Sequence, residues 1–210
     1  MILVGLTGGI GSGKSSVSAL LATKGAVIVD ADAITRELQQ PGQPVLASIV
    51  SRFGADVLAG DGSLDRARLA GIVFADPAAL KDLNDIVHPA VGAEITRRVE
   101  AERPTDHVVV LDIPLLVEGG RYRAGGLLVV DTPVDVAVAR LVEYRGMDEA
   151  DVRARIGRQA TRQQRLAVAD RVIDNSGDPA SLAAQVDEAW DWMLSLPPEP
   201  VAAAPDVGRP

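Results

Sequence analysis

A glycine-rich turn near the start of the chain limits the fold more than any other feature of the sequence. The apolar run Ile2–Leu6 leads into residues 8–15, which read Gly-Gly-Ile-Gly-Ser-Gly-Lys-Ser, and a helical stretch over Ser15–Lys24 follows. This segment fits the pattern G-x-x-x-x-G-K-[ST], in the strand-before and helix-after context that the pattern requires. Its glycines let successive backbone N–H groups turn inward toward phosphate oxygens. The sequence therefore predicts a phosphate-binding loop between the first strand and the first helix.

The residue types in this loop predict a site for a nucleoside triphosphate. The N-terminus of the following helix adds partial positive charge, Lys14 can reach the β- and γ-phosphates, and the Ser15 hydroxyl can ligate Mg²⁺. A glycine-rich turn that only happens to contain a lysine is the alternative, in a chain that has three lysines in all. The predicted nucleotide-binding residues of the loop are Gly9, Ile10, Gly11, Ser12, Gly13, Lys14, Ser15 and Ser16.

Four further apolar runs predict the rest of a sheet. They are Ala26–Val29, Val108–Leu111, Leu127–Val130 and Val172–Ile173, and they alternate with helical stretches. Short, nearly continuous apolar strands between helices are typical of a parallel sheet that is covered on both faces. We therefore predict an α/β fold of the P-loop type, a three-layer sandwich around a five-stranded parallel sheet.

The spacing of these runs predicts the domain organisation. The chain between the second and third strands is too long for one crossover helix, so we expect a helical insert over about 33–103. A single domain is predicted over 1–196, with its core in 1–32, 104–139 and 170–196, a helical lid over about 140–169, and a disordered proline- and alanine-rich tail over 197–210. Thr132-Pro133 and Asp178-Pro179 each predict a helix start, the second for a final helix through Leu196.

Aspartates follow two of the predicted strands, at the edge where open α/β sheets bind ligands. Asp32 could accept or orient a hydroxyl proton, although Asp30 or Asp32 could instead cap the helix over Ala33–Leu38. Asp112 could hold Mg²⁺ through water, or it could be the first turn residue after its strand. The phosphate loop favours the functional interpretation of Asp32 and leaves that of Asp112 open.

Composition and charge exclude several classes of function. A net charge of −8 with 3% aromatic residues argues against nucleic-acid binding, and the absence of cysteine excludes thiolate catalysis and cysteine-ligated metals. We expect no membrane span, no signal peptide and no obligate protein partner, and hence a cytoplasmic location. The segment from Arg153 to Arg171 nevertheless holds six arginines and one acid. It predicts either a solvated helix face or a site for a polyanion.

These features together are typical of a small kinase. The Asn-Lys-x-Asp motif of a GTPase is absent, since no lysine follows an asparagine. A phosphate loop, a carboxylate after the next strand, an insert for the acceptor and an arginine-rich lid that excludes water fit phosphoryl transfer to a small molecule. A nucleotide-dependent switch without catalysis is the alternative from another class.

The motifs also resemble, in order, those of the dephospho-CoA kinase family over nearly the whole chain. The resemblance is carried by Leu6–Ser15, Asp30-Ala31-Asp32 with Arg36, the insert up to His88-Pro89, the turn Pro114-Leu115-Leu116-Val117-Glu118, Arg140-Leu141, Gln159, Arg165 and Ile173–Gly177. It implies that MgATP phosphorylates the ribose 3′-hydroxyl of dephospho-CoA, the last step of coenzyme A synthesis. Another small-molecule P-loop kinase, such as a nucleoside or nucleotide kinase, is the nearest alternative.

The resemblance also implies roles for individual residues. Lys14 and Arg140 would stabilise charge on the transferred group, and Asp32 would accept or orient the 3′-hydroxyl. Asn175 and Gly177 would contact the nucleotide. The implied acceptor-binding residues are Asp32, His88, Leu115, Leu116, Glu118 and Arg155.

Overall fold

The computed structural model describes residues 1–114 and 124–198, which contain a five-stranded parallel sheet in the order β2-β3-β1-β4-β5. The strands are β1 (Ile2–Gly8), β2 (Val27–Asp30), β3 (Val108–Asp112), β4 (Gly126–Asp131) and β5 (Arg171–Asp174). Each apolar run that predicted a strand forms one. The predicted α/β fold with a five-stranded parallel sheet is therefore confirmed.

Helices connect the strands and fill the long segment between β2 and β3. They are α1 (Lys14–Thr23), α2 (Ala31–Leu38), α3 (Pro44–Phe53), α4 (Arg66–Ala75), α5 (Pro77–Glu102), α6 (Val134–Arg145), α7 (Glu149–Ile156), α8 (Arg162–Ala167) and α9 (Pro179–Leu194). Of the predicted acceptor-binding residues, Leu115, Leu116 and Glu118 lie outside the described residues, as does almost all of the predicted tail. Among the residues that are described, none of the helices combines the length and the apolar character of a membrane span.

The sheet is buried because apolar side chains point to both of its faces. β1 lies between β3 and β4, with Val4 opposite Val110 on one side and Leu6 opposite Leu128 on the other. These four side chains pack with residues of α1 and α9 in one core cluster. Each fully buried valine or leucine contributes about 1.5–3 kcal/mol. Every residue of β3 is buried, so neither face of that strand is open to water.

The chain divides into two compact units. The first consists of Met1–Val29 with the described part of Val99–Pro210, and it holds the sheet. The second, Asp30–Arg98, is built from α2 to α4 and most of α5. It has a hydrophobic core of its own, formed by Val45, Leu46, Ile49, Val57, Leu64, Leu69, Val73, Ala79 and Val87. The predicted helical insert falls largely within this second unit.

Two helix starts were predicted from aspartate or threonine before proline, and one of them is wrong. Asp178 caps α9, since its carboxylate accepts hydrogen bonds from the backbone N–H groups of Ala180 and Ser181 at 2.9 and 3.0 Å. Thr132 does not cap α6, because Pro133 is the N-cap residue of that helix. The Thr132 hydroxyl lies 3.2 Å from the carbonyl oxygen of Ser12 instead, in the phosphate loop.

Candidate active site

The phosphate loop joins the carboxyl end of β1 to the first turn of α1. Gly13 is the N-cap residue of α1 with φ of 81°, a left-handed conformation that glycine adopts without strain. No side chain of the described residues caps this helix, and its first backbone N–H groups are therefore available to an anion. The loop thus has the geometry that its sequence predicts for binding phosphate.

Asn175, the residue directly after β5, supports this loop with its side chain. Asn175 is buried, and its amide nitrogen donates a hydrogen bond of 2.8 Å to the Ser12 carbonyl oxygen. A Cβ at position 13 would overlap that amide, which is a second reason for glycine there. The guanidinium of Arg140, on α6, donates to the Asn175 carbonyl oxygen at 2.7 Å. Asn175, predicted to contact the nucleotide, and Arg140, predicted to stabilise charge on the transferred group, both belong to the support of the loop in this structure.

Lys14 is paired with Asp112, the last residue of β3. Its Nζ forms an ion pair with Asp112 Oδ1, and the two side chains are 17% and 3% exposed. The Ser18 hydroxyl donates to the other carboxylate oxygen at 2.6 Å. A buried carboxylate is costly unless it is paired and hydrogen-bonded, and Lys14 and Ser18 supply both interactions. The sequence did not predict Ser18, although its spacing of four from Lys14 places it on the same face of α1.

The donor atoms at this end of the sheet fit Mg²⁺. Ser15, in the first turn of α1, offers a hydroxyl oxygen, and Asp112 offers carboxylate oxygens at the end of β3. Within residues 1–114 and 124–198, no group of three or more acidic, histidine or cysteine side chains is placed to hold a metal. Mg²⁺ needs no such cage, since it keeps several waters and binds one or two protein ligands together with substrate phosphates.

The arginine-rich segment lies against the phosphate loop. Gln159, between α7 and α8, accepts a hydrogen bond of 3.0 Å from the Ile10 backbone N–H. Arg162, the first residue of α8, forms an ion pair with the Asp131 carboxylate at the end of β4. Asp131 was not predicted as a site residue, although it ends an apolar strand just as Asp112 does. Arg155 and Gly177, which were also predicted to bind ligands, are exposed on α7 and after β5.

Two predicted site residues belong to the second unit. Asp30 is the N-cap of α2, and its carboxylate accepts from the backbone N–H groups of Asp32 and Ala33 at 2.8 and 3.0 Å. Capping is therefore the role of Asp30, and Asp32 is an exposed residue of the first turn. His88 is exposed on α5, directly before Pro89.

A phosphate loop at the carboxyl end of a central parallel strand, with arginines brought to it on short helices, is the arrangement of the P-loop kinases, and this chain is an enzyme of that class. A family model described as "Dephospho-CoA kinase" matches residues 2–181. The chain belongs to the dephospho-CoA kinase family, as the resemblance of its motifs predicts.

Similar proteins cover almost the whole chain. A dephospho-CoA kinase of Thermobifida fusca is 54% identical over 194 residues, which are 91% of this chain and 96% of that protein. A dephospho-CoA kinase of Streptomyces avermitilis is 53% identical over 191 residues, with 90% of this chain and 93% of that protein covered. The crystal structure of TT1252 from Thermus thermophilus superposes with a TM-score of 0.77 at 32% identity, over 92% of this chain and 98% of that one.

Proposed function

We propose that this chain transfers the γ-phosphoryl group of ATP to the ribose 3′-hydroxyl of dephospho-CoA and releases ADP and coenzyme A. One observation carries this proposal: Lys14 begins α1 directly after the phosphate loop, no described side chain caps that helix, and the dephospho-CoA kinase model matches the chain over residues 2–181. The loop provides the site for the triphosphate, and membership of the family indicates that dephospho-CoA is the acceptor.

The reaction forms one bond to phosphorus and breaks another. The 3′-oxygen of the acceptor bonds to the γ-phosphorus, while the bond from that phosphorus to the β,γ-bridging oxygen breaks and ADP leaves with the electron pair. We assign the hydroxyl proton to the carboxylate of Asp32, which follows β2 by two residues. Because Asp30 caps α2, the Asp32 carboxylate is not needed to start the helix.

Lys14 changes partner when the nucleotide binds. In this structure its ammonium neutralises Asp112, and phosphate oxygens in the loop would take the place of that carboxylate. An ammonium fixed beside developing charge stabilises the transition state without reorganisation. The ion pair with Asp112 keeps Lys14 at the loop before the nucleotide arrives.

We further propose that Ser15 and Asp112 hold Mg²⁺ at this site. When bound, the ion supplies positive charge that offsets the negative charge of the phosphate oxygens. Asp112 would become available as Lys14 turns from it to the phosphates. The other predicted roles are kept as proposals: Arg140 stabilises charge on the transferred group, and Asn175 and Gly177 bind the nucleotide. The proposed acceptor-binding residues are His88, Arg155, Leu115, Leu116 and Glu118.

A panel of acceptors tests this function. The protein is incubated with γ-labelled MgATP and, in parallel, dephospho-CoA, a nucleoside and a nucleoside monophosphate, and each product is analysed by mass spectrometry. We expect dephospho-CoA alone to gain one phosphoryl group. The ribose of the product should also resist cleavage by periodate, because phosphorylation removes the 2′,3′-diol. Transfer to the nucleoside or the monophosphate would indicate another small-molecule kinase, and tight ATP binding without any product would indicate a switch.

A further inference from the structure

The proposed reaction leaves unexplained an ion pair at the carboxyl end of β4, between the buried carboxylate of Asp131 and the half-exposed side chain of Arg162. Arg162 Nε lies 2.8 and 3.0 Å from the two carboxylate oxygens of Asp131, and its Nη2 lies 2.6 Å from Oδ2. The Asp131 side chain is only 9% exposed. Two parallel N–H···O contacts fix the guanidinium plane as well as its distance. The start of α8 is thereby held in one orientation on the sheet.

A capping box holds the same end of α8. The Thr161 hydroxyl accepts from the Gln164 backbone N–H at 3.1 Å, and the Gln164 side chain accepts from the Thr161 backbone N–H at 2.8 Å. These reciprocal bonds order the first turn of a helix that is too short to be stable alone. Arg165 follows Arg162 by three residues and so lies on the same side of α8. Its position is thus set by the contacts of Thr161 and Arg162.

The guanidinium of Arg165 lies against Gly9 of the phosphate loop. A Cβ at Gly9 would lie 2.7 Å from Nη2 and 3.2 Å from Cζ of Arg165, which shows that the guanidinium is in direct contact with this residue. Arg165 Nη1 donates a hydrogen bond to the Ala160 carbonyl oxygen, and this bond restrains the guanidinium. Arg153, on α7, differs: it is half exposed and pairs with Glu149 and Asp135. Of these two arginines, Arg165 is the one whose guanidinium lies against the loop.

We propose that Arg165 is a further catalytic residue, which binds oxygens of the transferred γ-phosphoryl group, and that Asp131 and Arg162 are the pair that positions it. This proposal rests on the proposed phosphoryl transfer. Arg165 forms no covalent bond and moves no proton: its N–H groups donate to phosphoryl oxygens while the 3′-oxygen bonds to phosphorus and ADP leaves. A guanidinium suits this role because its planar donors match two oxygens at once.

Steady-state kinetics of four variants tests the catalytic role. Arg165→Ala should lower kcat by about 10²-fold, with a much smaller change in KM for ATP, because the contact is made mainly to the group in transfer. Arg165→Lys should retain part of the activity, since lysine keeps the positive charge but cannot make the paired, bidentate hydrogen bonds of a guanidinium. Asp131→Asn should lower kcat by about 10-fold. Glu188→Gln, which breaks the exposed pair of Glu188 with Arg171, serves as the control and should leave kcat unchanged.

A double-mutant cycle separates positioning from folding. If Asp131 acts through Arg165, then Asp131→Asn should change kcat by less than about twofold in the Arg165→Ala background. Thermal unfolding of each variant, measured in parallel, reports any loss of stability separately from kcat. An equal effect of Asp131→Asn in both backgrounds would overturn the positioning role. Activity of Arg165→Ala within about twofold of wild type would overturn the catalytic role.

The acceptor panel, combined with the same variants, distinguishes failure of this inference from failure of the proposed function. If wild-type protein phosphorylates another acceptor of the panel, the proposed function is wrong, and the same variants are then measured with that acceptor. Loss of kcat in Arg165→Ala would still support the inference there. If no acceptor of the panel is phosphorylated, both proposals are overturned.

Discussion

At the scale of single residues, the carboxyl ends of β3 and β4 each carry a buried aspartate that is paired with a cation. Asp112 binds Lys14 of the phosphate loop, and Asp131 binds Arg162 of α8. Neither carboxylate would be stable in its site without that partner. The two pairs therefore hold the loop and the start of α8 at the same edge of the sheet.

Replacing Lys14 should affect both turnover and stability, for different reasons. Lys14→Ala should lower turnover by at least about 10²-fold, because the charge near the transferred group is lost. It should also lower the free energy of unfolding, because Asp112 is left buried without its ion pair. The variant Lys14→Ala with Asp112→Asn should recover stability but not turnover. Lys24→Ala, which breaks a more exposed pair with Asp187, is the control, and near-normal turnover of Lys14→Ala would exclude the role assigned to Lys14.

The roles of Asp30, the last residue of β2, and of Asp32 can be distinguished by experiment. Asp30→Ala should destabilise the protein by about 1 kcal/mol, since α2 loses its N-cap. Asp32→Asn should retain ATP binding and stability but lose phosphoryl transfer. Calorimetric ATP titration and chemical unfolding of both variants measure these effects. Unfolding of Asp32→Asn at conditions where the wild type is folded would show a structural role for Asp32 instead.

At the scale of elements, α7 and α8 form a short helical segment over the phosphate loop. This segment contacts the loop in three ways: Gln159 accepts from the Ile10 backbone N–H, Arg165 lies on Gly9, and Ile10 packs in one apolar cluster with residues of α7. Two short helices outside the sheet can open locally at a lower free-energy cost than the strands of the core. Such a segment fits a lid that opens for the nucleotide and closes for transfer.

Hydrogen exchange measures this closure. With MgATP and dephospho-CoA both bound, the segment from Arg140 to Arg165 should exchange its backbone amides more slowly than in the free protein. Added contacts to the phosphates lower the population of the open state. The C-terminal half of α9, which packs on the sheet, serves as the internal reference. Equal exchange of the lid with and without ligands would contradict closure.

The stability of α5 should depend on pH through Glu94. Hydrogen bonds from Arg97 and then Arg98 hold the pKa of Glu94 at about 2, well below its ordinary 4.5. Because the folded-state pKa is lowered, the stabilisation is complete above the unfolded pKa and is lost as pH falls toward 2. Glu94→Gln should therefore lower the free energy of unfolding at pH 7 but have little effect near pH 2.

Asp85→Asn is the matched control for this pH dependence. Asp85 pairs with Lys81 on the same helix, but both side chains are mostly exposed, and such pairs contribute little. Urea unfolding of both variants between pH 7 and 2 gives the comparison. A difference between wild type and Glu94→Gln that stays constant over this range would contradict the assigned pKa.

At the scale of the whole molecule, local patterns of sequence were sufficient for the sheet and the phosphate loop. Each strand contains a short apolar run, and the loop needs only its own glycines, lysine and serine. The partners of the site residues were not predictable in this way. Lys14 and Asp112 are 98 residues apart, and Arg162 and Asp131 are 31 apart, so their pairing depends on strand order. Thr132 shows the same limit, since its hydroxyl contacts the distant Ser12 rather than its own helix.

The claim on which this account depends is that the loop after β1 encloses the triphosphate of ATP. A crystal structure with Mg²⁺ and a non-hydrolysable ATP analogue tests it directly. We predict that the β- and γ-phosphates accept hydrogen bonds from backbone N–H groups of residues 9–15, with Lys14 Nζ on the phosphates and no longer on Asp112. An analogue bound elsewhere, with Lys14 still paired with Asp112 and the loop empty, would contradict both the kinase mechanism and the role proposed for Arg165.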